Sequence, residues 1–170
     1  MAQKLQDARQ QFISSWGAFA SHWGINKTMA QVHALLLTTA TPLTSDDIMD
    51  QLRISRGNVN MNVRELINWG LVERQTVPGE RKELFVAEKE MWKVIKLIVK
   101  ERKKRELEPM LALLHQLQDV TGDKNSADYK TYTKTIEGII KYGTQADKTL
   151  DRLIKAEENW FWGSFLKMLK

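Results

Sequence analysis

The sequence predicts a mainly α-helical protein with one short β-hairpin. Apolar residues recur at three- and four-residue spacing over most of the 170 positions, which is typical of amphipathic helices. Two strand-like runs, residues 71–76 and 82–87, flank a Pro-Gly pair, which favours a type II turn. Thr44 and Ser55 are helix-capping residues, and each precedes a short helical pattern just before the hairpin. Two capped helices followed by a hairpin predict a winged helix-turn-helix, with long dimerisation helices on both sides of it.

The N-terminal part of the chain reads as two helices and a short strand. Residues 2–22 carry a wide aromatic stripe at helical spacing, so we expect this first helix to pack against more than one neighbouring element. Gly24 ends the first helix, and Asn26 caps a second helix over residues 27–39. Residues 42–44 are the candidate first strand of a three-stranded sheet.

The predicted helix-turn-helix begins at Thr44, which has the spacing of a capping box with Asp47. Residues 53–54 make the turn, and Ser55 caps the second helix. One side of that second helix is apolar, with Val59, Val63, Leu66 and Ile67 at helical spacing. Its opposite side lacks the Lys and Glu residues that usually face solvent and carries instead Gly57, Asn58, Asn60, Met61, Arg64 and Asn68.

This outer face suits the major groove of DNA. Asn pairs bidentately with adenine and Arg with guanine, and a Gly in the first helical turn lets the backbone approach a phosphate. The alternative is an ordinary amphipathic helix. The hairpin favours the DNA-binding interpretation, because Arg74, Arg81 and Lys82 lie where a wing meets a phosphate backbone or the minor groove. Basic residues on a hairpin also occur simply as charges that aid solubility.

The same residues resemble a known family. The run I-S-R-G-N-V-N-M-N-V-R-E-L-I-N-W-G-L-V-E-R from Ile54 to Arg74, followed by G-E-R-K from Gly79 to Lys82, is similar to the GbsR-type branch of the MarR-like transcriptional regulators. The resemblance is strong from Trp16 to about Met110 and weak beyond. It implies a DNA-binding regulator associated with osmoprotectant uptake and synthesis, with a quaternary ammonium such as choline as its ligand. Gly79 departs from the pattern, since MarR wings carry an Asp two residues before the wing Arg.

The C-terminal half predicts two long helical segments. Residues 88–117 form one helical pattern that Pro109 interrupts, so we expect a kink or a restart near residues 105–108. The basic run at residues 100–105 reads as a solvated helix face, with a phosphate-contacting surface as the alternative. Ser126 caps a last helix whose apolar seam needs partners. We expect the Leu- and Met-rich face before residue 121 to supply one partner, in an αα-hairpin, and a second chain to supply the other.

Composition and spacing exclude several functional classes. The chain has no cysteine, and its three histidines lie on different predicted helices without metal-ligand spacing. It contains no glycine-rich phosphate loop after a strand and no nucleophile elbow. We therefore expect no enzymatic activity, no cofactor and no metal site. A net charge of +5 permits a polyanionic partner.

No apolar run approaches the length of a membrane-spanning helix, and the N-terminus lacks the apolar core of a signal peptide. We therefore expect a cytoplasmic protein. The aromatic tail at residues 159–170 is expected to pack on another helix or subunit, and an interfacial membrane helix is the alternative.

The sequence thus predicts a homodimeric transcriptional regulator that binds double-stranded DNA. Its predicted domains are a winged helix-turn-helix at residues 25–90 and a helical dimerisation region at residues 1–24 and 91–170. The predicted DNA-binding residues are Ser55, Arg56, Gly57, Asn58, Asn60, Met61, Arg64, Arg81 and Lys82.

Two further hypotheses concern other partners. A small effector such as choline is one, and the ring faces of Trp16, Trp23 and Trp92 are its candidate cation-binding groups, with ordinary core packing as the alternative. The rival function is that of an assembly module, because winged helices also bind other proteins and the first helix of the helix-turn-helix is acidic.

Overall fold

A computed structural model describes residues 4–76 and 82–158. The chain forms two compact units, Met1–Val94 and Ile95–Lys170. The described residues are mainly helical with one small antiparallel sheet, so the predicted fold class is confirmed. The elements are α1 Leu5–His22, α2 Lys27–Thr38, β1 Leu43–Thr44, α3 Ser45–Leu52, α4 Arg56–Asn68, β2 Val72–Thr76, β3 Glu83–Ala87, α5 Met91–Arg102, a π-helical segment Lys103–Leu107, α6 Glu108–Leu117 and α7 Ala127–Lys155. The proposed domain limits at residues 25–90 stay a prediction.

Helix α2 is the centre of the first unit. Seven of its twelve residues are buried, and α1, α3, α4 and β3 all pack against it. Helix α1 buries Ile13, Gly17 and Ala20. A Cβ at Gly17 would lie 2.6 Å from Gln31 Cγ, so a larger residue would force α1 and α2 apart. The aromatic stripe of α1 lies on a different side of the helix and remains largely exposed within this chain.

The predicted helix caps form as local hydrogen bonds. Asn26 Oδ1 accepts from the Met29 amide, and Asp47 Oδ2 accepts from the Thr44 amide at 2.8 Å while Thr44 Oγ1 accepts from the Asp47 amide at 3.1 Å. This reciprocal pair is a complete capping box, and the hydrogen bonds from Thr44 lower the pKa of Asp47. The residue at which α3 begins is therefore specified by the local sequence.

The sheet has the strand order β1-β3-β2, with both pairs antiparallel. Phe85 of β3 is buried, and it faces Leu43 in β1 and Arg74 in β2. The two strands predicted as a hairpin are thus confirmed, and residues 42–44 contribute the third strand by Leu43 and Thr44. The predicted turn at residues 77–80 lies outside the described residues.

The second unit contains the interruption that Pro109 predicts. The chain passes from α5 through the π-helical segment into α6, which begins at Glu108 with Pro109 in its first turn. The wider π turn lies just before the residue that cannot donate a helical hydrogen bond. In the basic run, the Lys103 ammonium lies 2.9 Å from Glu108, 3.0 Å from Asp147 and 3.1 Å from Asp151. These carboxylates raise the pKa of Lys103 above its usual value. The ion pairs tie the π-helical segment to α7.

Helices α6 and α7 form the predicted hairpin, with α7 capped by Ser126. Leu111 packs so closely on Gly143 that a Cβ there would lie 2.8 Å from Leu111 Cδ2. An open apolar groove remains on this pair, lined by Met110, Thr135, Gly138, Ile139, Tyr142 and Ala146. The tail at residues 159–170 lies outside the described residues.

Candidate nucleic-acid interface

Helix α4 is oriented by its apolar side. Val59, Val63 and Leu66 are buried against the first unit, and α4 packs against both α2 and α3. Since these three residues share one face of the helix, the opposite face must point away from the core. The helix ends in a Schellman arrangement, in which Gly70 has φ 74° and the Leu71 amide donates to the Leu66 carbonyl at 2.9 Å.

Seven of the nine predicted DNA-binding residues lie on or beside α4, and all seven are exposed. Met61 is 57% exposed, although burying so large an apolar side chain would be favourable. Lys82 immediately precedes β3 and is also exposed, whereas Arg81 lies outside the described residues. The exposed members on or beside α4 are Ser55, Arg56, Gly57, Asn58, Asn60, Met61 and Arg64.

Gly57 lies in the first turn of α4 and faces open space. A Cβ added there would meet no atom within 4 Å. Packing among the described residues therefore does not require a glycine at this position, and glycine is an unfavourable residue within a helix. The absent side chain leaves the backbone of α4 open to an external partner.

Asn62 is a residue of this helix that sequence reasoning missed. It is buried, and its Nδ2 donates to the Asn58 carbonyl at 2.7 Å. The signal was present, because an amide four residues after Asn58 can bond back to that carbonyl within a helix. Asn62 therefore braces the turn that presents Asn58.

The cations of this surface differ in their partners. Arg56 Nη2 lies 2.5 Å from Asp46 Oδ1, and Arg74 Nη1 lies 2.8 Å from Glu83 Oε1. Arg64, by contrast, is exposed and forms no ion pair with another described residue. The guanidinium of Arg64 is thus available to a base or a phosphate.

The three candidate ligand-binding tryptophans lie in different surroundings. Trp16 and Trp23 belong to a row of rings along α1, in which the centroids of neighbouring rings are 5.5 Å apart for Phe12 and Trp16, 6.1 Å for Trp16 and Phe19, and 5.5 Å for Phe19 and Trp23. Trp23 is 58% exposed, whereas Trp92 is buried in α5. The row on α1 is therefore an open aromatic surface, and Trp92 is core.

Residues 4–76 and 82–158 contain no group of three His, Cys, Asp or Glu residues arranged to hold a metal ion. None of the helices in those ranges combines the length and the apolar character needed to cross a bilayer.

Comparison with known proteins agrees with this geometry. The model of the MarR family matches residues 23–83, which include the whole helix-turn-helix. A solved structure entitled "Crystal Structure of a transcriptional regulator" is similar at 16% sequence identity and a TM-score of 0.67, over 87% of this chain and 96% of that chain. No curated protein sequence matches. Residues 23–83 therefore match the MarR family, and the solved structure shows that the chain shares the fold of that protein.

Proposed function

We propose that this protein is a homodimeric regulator that reads double-stranded DNA through α4. The observation that carries the proposal is the exposed face of α4, where asparagines, an arginine without an ion pair to any described residue and an unhindered glycine replace the usual solvating charges. Such side chains recognise base edges, and base contacts are what give a protein sequence specificity.

Each residue of the surface has a role in this proposal. Asn58, Asn60, Met61 and Arg64 contact base edges, with Met61 offering an apolar contact to a thymine methyl group. Gly57 allows a phosphate to approach the helix backbone. Ser55, Arg56, Arg81 and Lys82 hold phosphates or enter the minor groove.

The proposal of a homodimer rests on apolar surface that each unit leaves open. In the first unit, Phe19 and Trp23 on α1 are each more than half exposed. In the second unit, Ile139 and Tyr142 on α7 are exposed beside the apolar groove. Apolar patches of this kind mark protein contacts. A two-fold dimer through these helices would place two copies of α4 about one DNA turn, roughly 34 Å, apart.

The direct test is a gel shift on genomic fragments with Arg64→Ala. We expect a loss of roughly 10-fold or more in affinity for the preferred fragment, since a bidentate arginine contact to guanine contributes about 1–3 kcal/mol. Arg152→Ala is the matched control, because Arg152 is an exposed arginine on α7. Equal binding by the wild type and by both Arg64→Ala and Arg81→Ala would contradict the assignment of these residues.

Salt dependence separates DNA reading from the assembly-module alternative. Binding through several phosphates releases counterions, so log K falls with log salt at a slope near −0.9 for each phosphate contacted. An apolar protein contact has no such slope. Tight binding of a protein partner with a flat salt dependence, together with no shift of any duplex, would favour the assembly module.

The finer assignment concerns the branch and its effector. We propose the GbsR-type branch on the run from Ile54 to Arg74, and a quaternary ammonium as effector. The open row of rings on α1 supports this, since Trp23 offers an exposed ring face to a cation. Tryptophan fluorescence should change when choline or glycine betaine is added at millimolar concentration. Trp23→Leu should reduce that change, and no response in the wild type would remove the effector from the proposal.

A further inference from the structure

One ion pair links the two helices of the helix-turn-helix on the proposed DNA-facing side. Asp46 is the second residue of α3, Arg56 is the first residue of α4, and their side chains meet at 2.5 Å. Both side chains are about two-thirds exposed, at 65% and 63%. The pair lines an open cleft together with Asn60 of the reading face and Lys82 at the base of the wing.

Asp46 has no part in the cap of α3. The capping box is formed by Thr44 and the neighbouring Asp47, whereas the Asp46 side chain accepts a hydrogen bond from Arg56. An exposed ion pair of this kind contributes only about 0.2–1 kcal/mol to folding. The fold therefore depends little on the Asp46 carboxylate.

The Asp46 carboxylate matters more for the binding of a DNA phosphate to Arg56 than for folding. Asp46 Oδ1 contacts Nη2 of Arg56, and a phosphate oxygen cannot accept the same N–H at the same time. The position of Arg56 at the start of α4 is also where helix amides and dipole favour a phosphate. A phosphate that approaches the start of α4 would therefore compete with Asp46 for Arg56.

We propose that Asp46 is a specificity-determining residue that holds Arg56 away from DNA until base contacts draw the protein close enough for a phosphate to displace the carboxylate. This inference rests on the proposed function. Non-specific binding depends almost entirely on phosphate contacts, whereas specific binding adds base contacts. Covering Arg56 therefore weakens binding to random sequence more than binding to the preferred site, and so raises the ratio between them.

The test is Asp46→Asn, which removes the charge and keeps the shape. Affinity for a random-sequence duplex should rise roughly two- to fivefold per reading head, which corresponds to the free energy of an exposed ion pair. The slope of log K against log salt should steepen by about 0.9 for each arginine released to a phosphate. Affinity for the preferred fragment should rise less, so that the specificity ratio falls.

Asp50→Asn is the matched control. Asp50 is an exposed carboxylate on the same helix, and its change alters the net charge by the same amount. It should leave the random-sequence affinity within a factor of about two, because the carboxylate that pairs with Arg56 is that of Asp46. Equal effects of Asp46→Asn and Asp50→Asn would overturn the inference in favour of a general charge effect.

A double-mutant cycle completes the experiment. On an Arg56→Gln background, Asp46→Asn should have no effect on affinity or salt slope, because the covered cation is gone. A gain that persists without Arg56 overturns the inference, and so does a loss of affinity in Asp46→Asn, which would make Asp46 a support for Arg56. If the wild type shifts DNA and Asp46→Asn behaves identically, the inference alone fails. If neither protein shifts any duplex, the proposed function fails and the inference with it.

Discussion

The two units of this chain bury their apolar residues to different extents. The most deeply buried large side chains of the described residues all lie in the first unit, among them Leu35, Ile48 and Leu66. The buried apolar residues of the second unit are Leu114, Ile140 and Ala156. The first unit thus encloses a core of its own, whereas the second leaves a long apolar seam at its surface. Burial of that seam by a partner would supply free energy that the second unit does not obtain alone.

The units also differ in how they hold a basic side chain, buried in the first and partly buried in the second. Lys103 in the second unit stays charged between three carboxylates, which raise its pKa. His33 in the first unit is 3% exposed, and its Nε2 has no hydrogen-bond partner among the described residues. Burial, with a smaller effect from Lys89, lowers the pKa of His33 to about 4. The first unit therefore keeps its buried histidine neutral, whereas ion pairs of a lysine help to stabilise the second unit.

The largest expected effect is the change in the free energy of unfolding with pH, which tests the contrast between His33 and Lys103. An unfolded chain protonates His33 near pH 6.5, but the folded unit resists protonation until about pH 4. The free energy of unfolding is therefore highest above pH 6.5, where His33 is neutral in both states. It falls by about 3 kcal/mol as the pH is lowered toward 4, because the unfolded chain binds a proton that the folded unit does not. Urea unfolding at a series of pH values measures this slope.

His33→Gln should flatten the slope, whereas His22→Gln, at an exposed position on α1, should leave it unchanged. A direct measurement follows the ring protons of His33 by NMR as pH is lowered. A midpoint near 6.5 for His33 would show that its burial does not exclude the charged form, and the contrast between the two cores would lose this support.

The next effect concerns the open seam of the second unit. Ile139→Glu places a carboxylate on the exposed apolar face of α7, where Ile139 is 43% exposed. If this face is a dimer interface, burying an unpaired charge there should raise the dimer dissociation constant about 100-fold, or about 2.7 kcal/mol. Sedimentation equilibrium measures the change.

Gln145→Glu is the control for Ile139→Glu, since Gln145 is an exposed polar residue of α7 that does not line the apolar groove. It introduces the same charge and should leave the dissociation constant unchanged within about twofold. An equally small effect for Ile139→Glu would show that this part of α7 stays in solvent, and the dimer would have to form elsewhere.

The smallest expected effect is that of Gly57→Ala, which should change the stability of the first unit and its DNA affinity in opposite directions. Gly57→Ala should stabilise the protein by up to about 0.5–1 kcal/mol, because alanine is the better helix residue and its Cβ enters open space. The same methyl group should reduce DNA affinity if a phosphate approaches this turn. Thermal unfolding and the gel shift measure the two effects. A variant that gains stability and keeps full affinity would remove Gly57 from the DNA-binding surface.

Local features of this molecule were predictable because they depend on residues close in sequence. The caps at Asn26, Ser55 and Ser126 formed as expected, since each is a hydrogen bond between a side chain and an amide three residues later. Pro109 predicted the restart of α6 because proline cannot accept an interior helical position. The solvent-facing residues of α4 followed from its apolar period in the same way.

Contacts between elements were not predictable from those patterns. The aromatic stripe of α1 was expected to pack on neighbouring elements, but Phe19 is 52% exposed and the small residues Gly17 and Ala20 face inward. Hydrophobicity alone predicts that the aromatic side of α1 is buried. The close crossing of α1 and α2 instead requires small residues at the contact. Asn62 was missed because its signal is the four-residue spacing from Asn58, and a search for apolar periodicity does not detect such a spacing.

The sequence by itself determined where the capped helices α2, α3, α4 and α7 begin, which residues of α4 share its outer face, and that a hairpin follows. These follow from hydrogen bonds and spacings within a few residues. Only the tertiary structure decided which side of α1 lies inward and that Asp46 meets Arg56 ten positions later. Both depend on how closely and at what angle separate helices cross, and that is set by the packing of side chains from the whole unit.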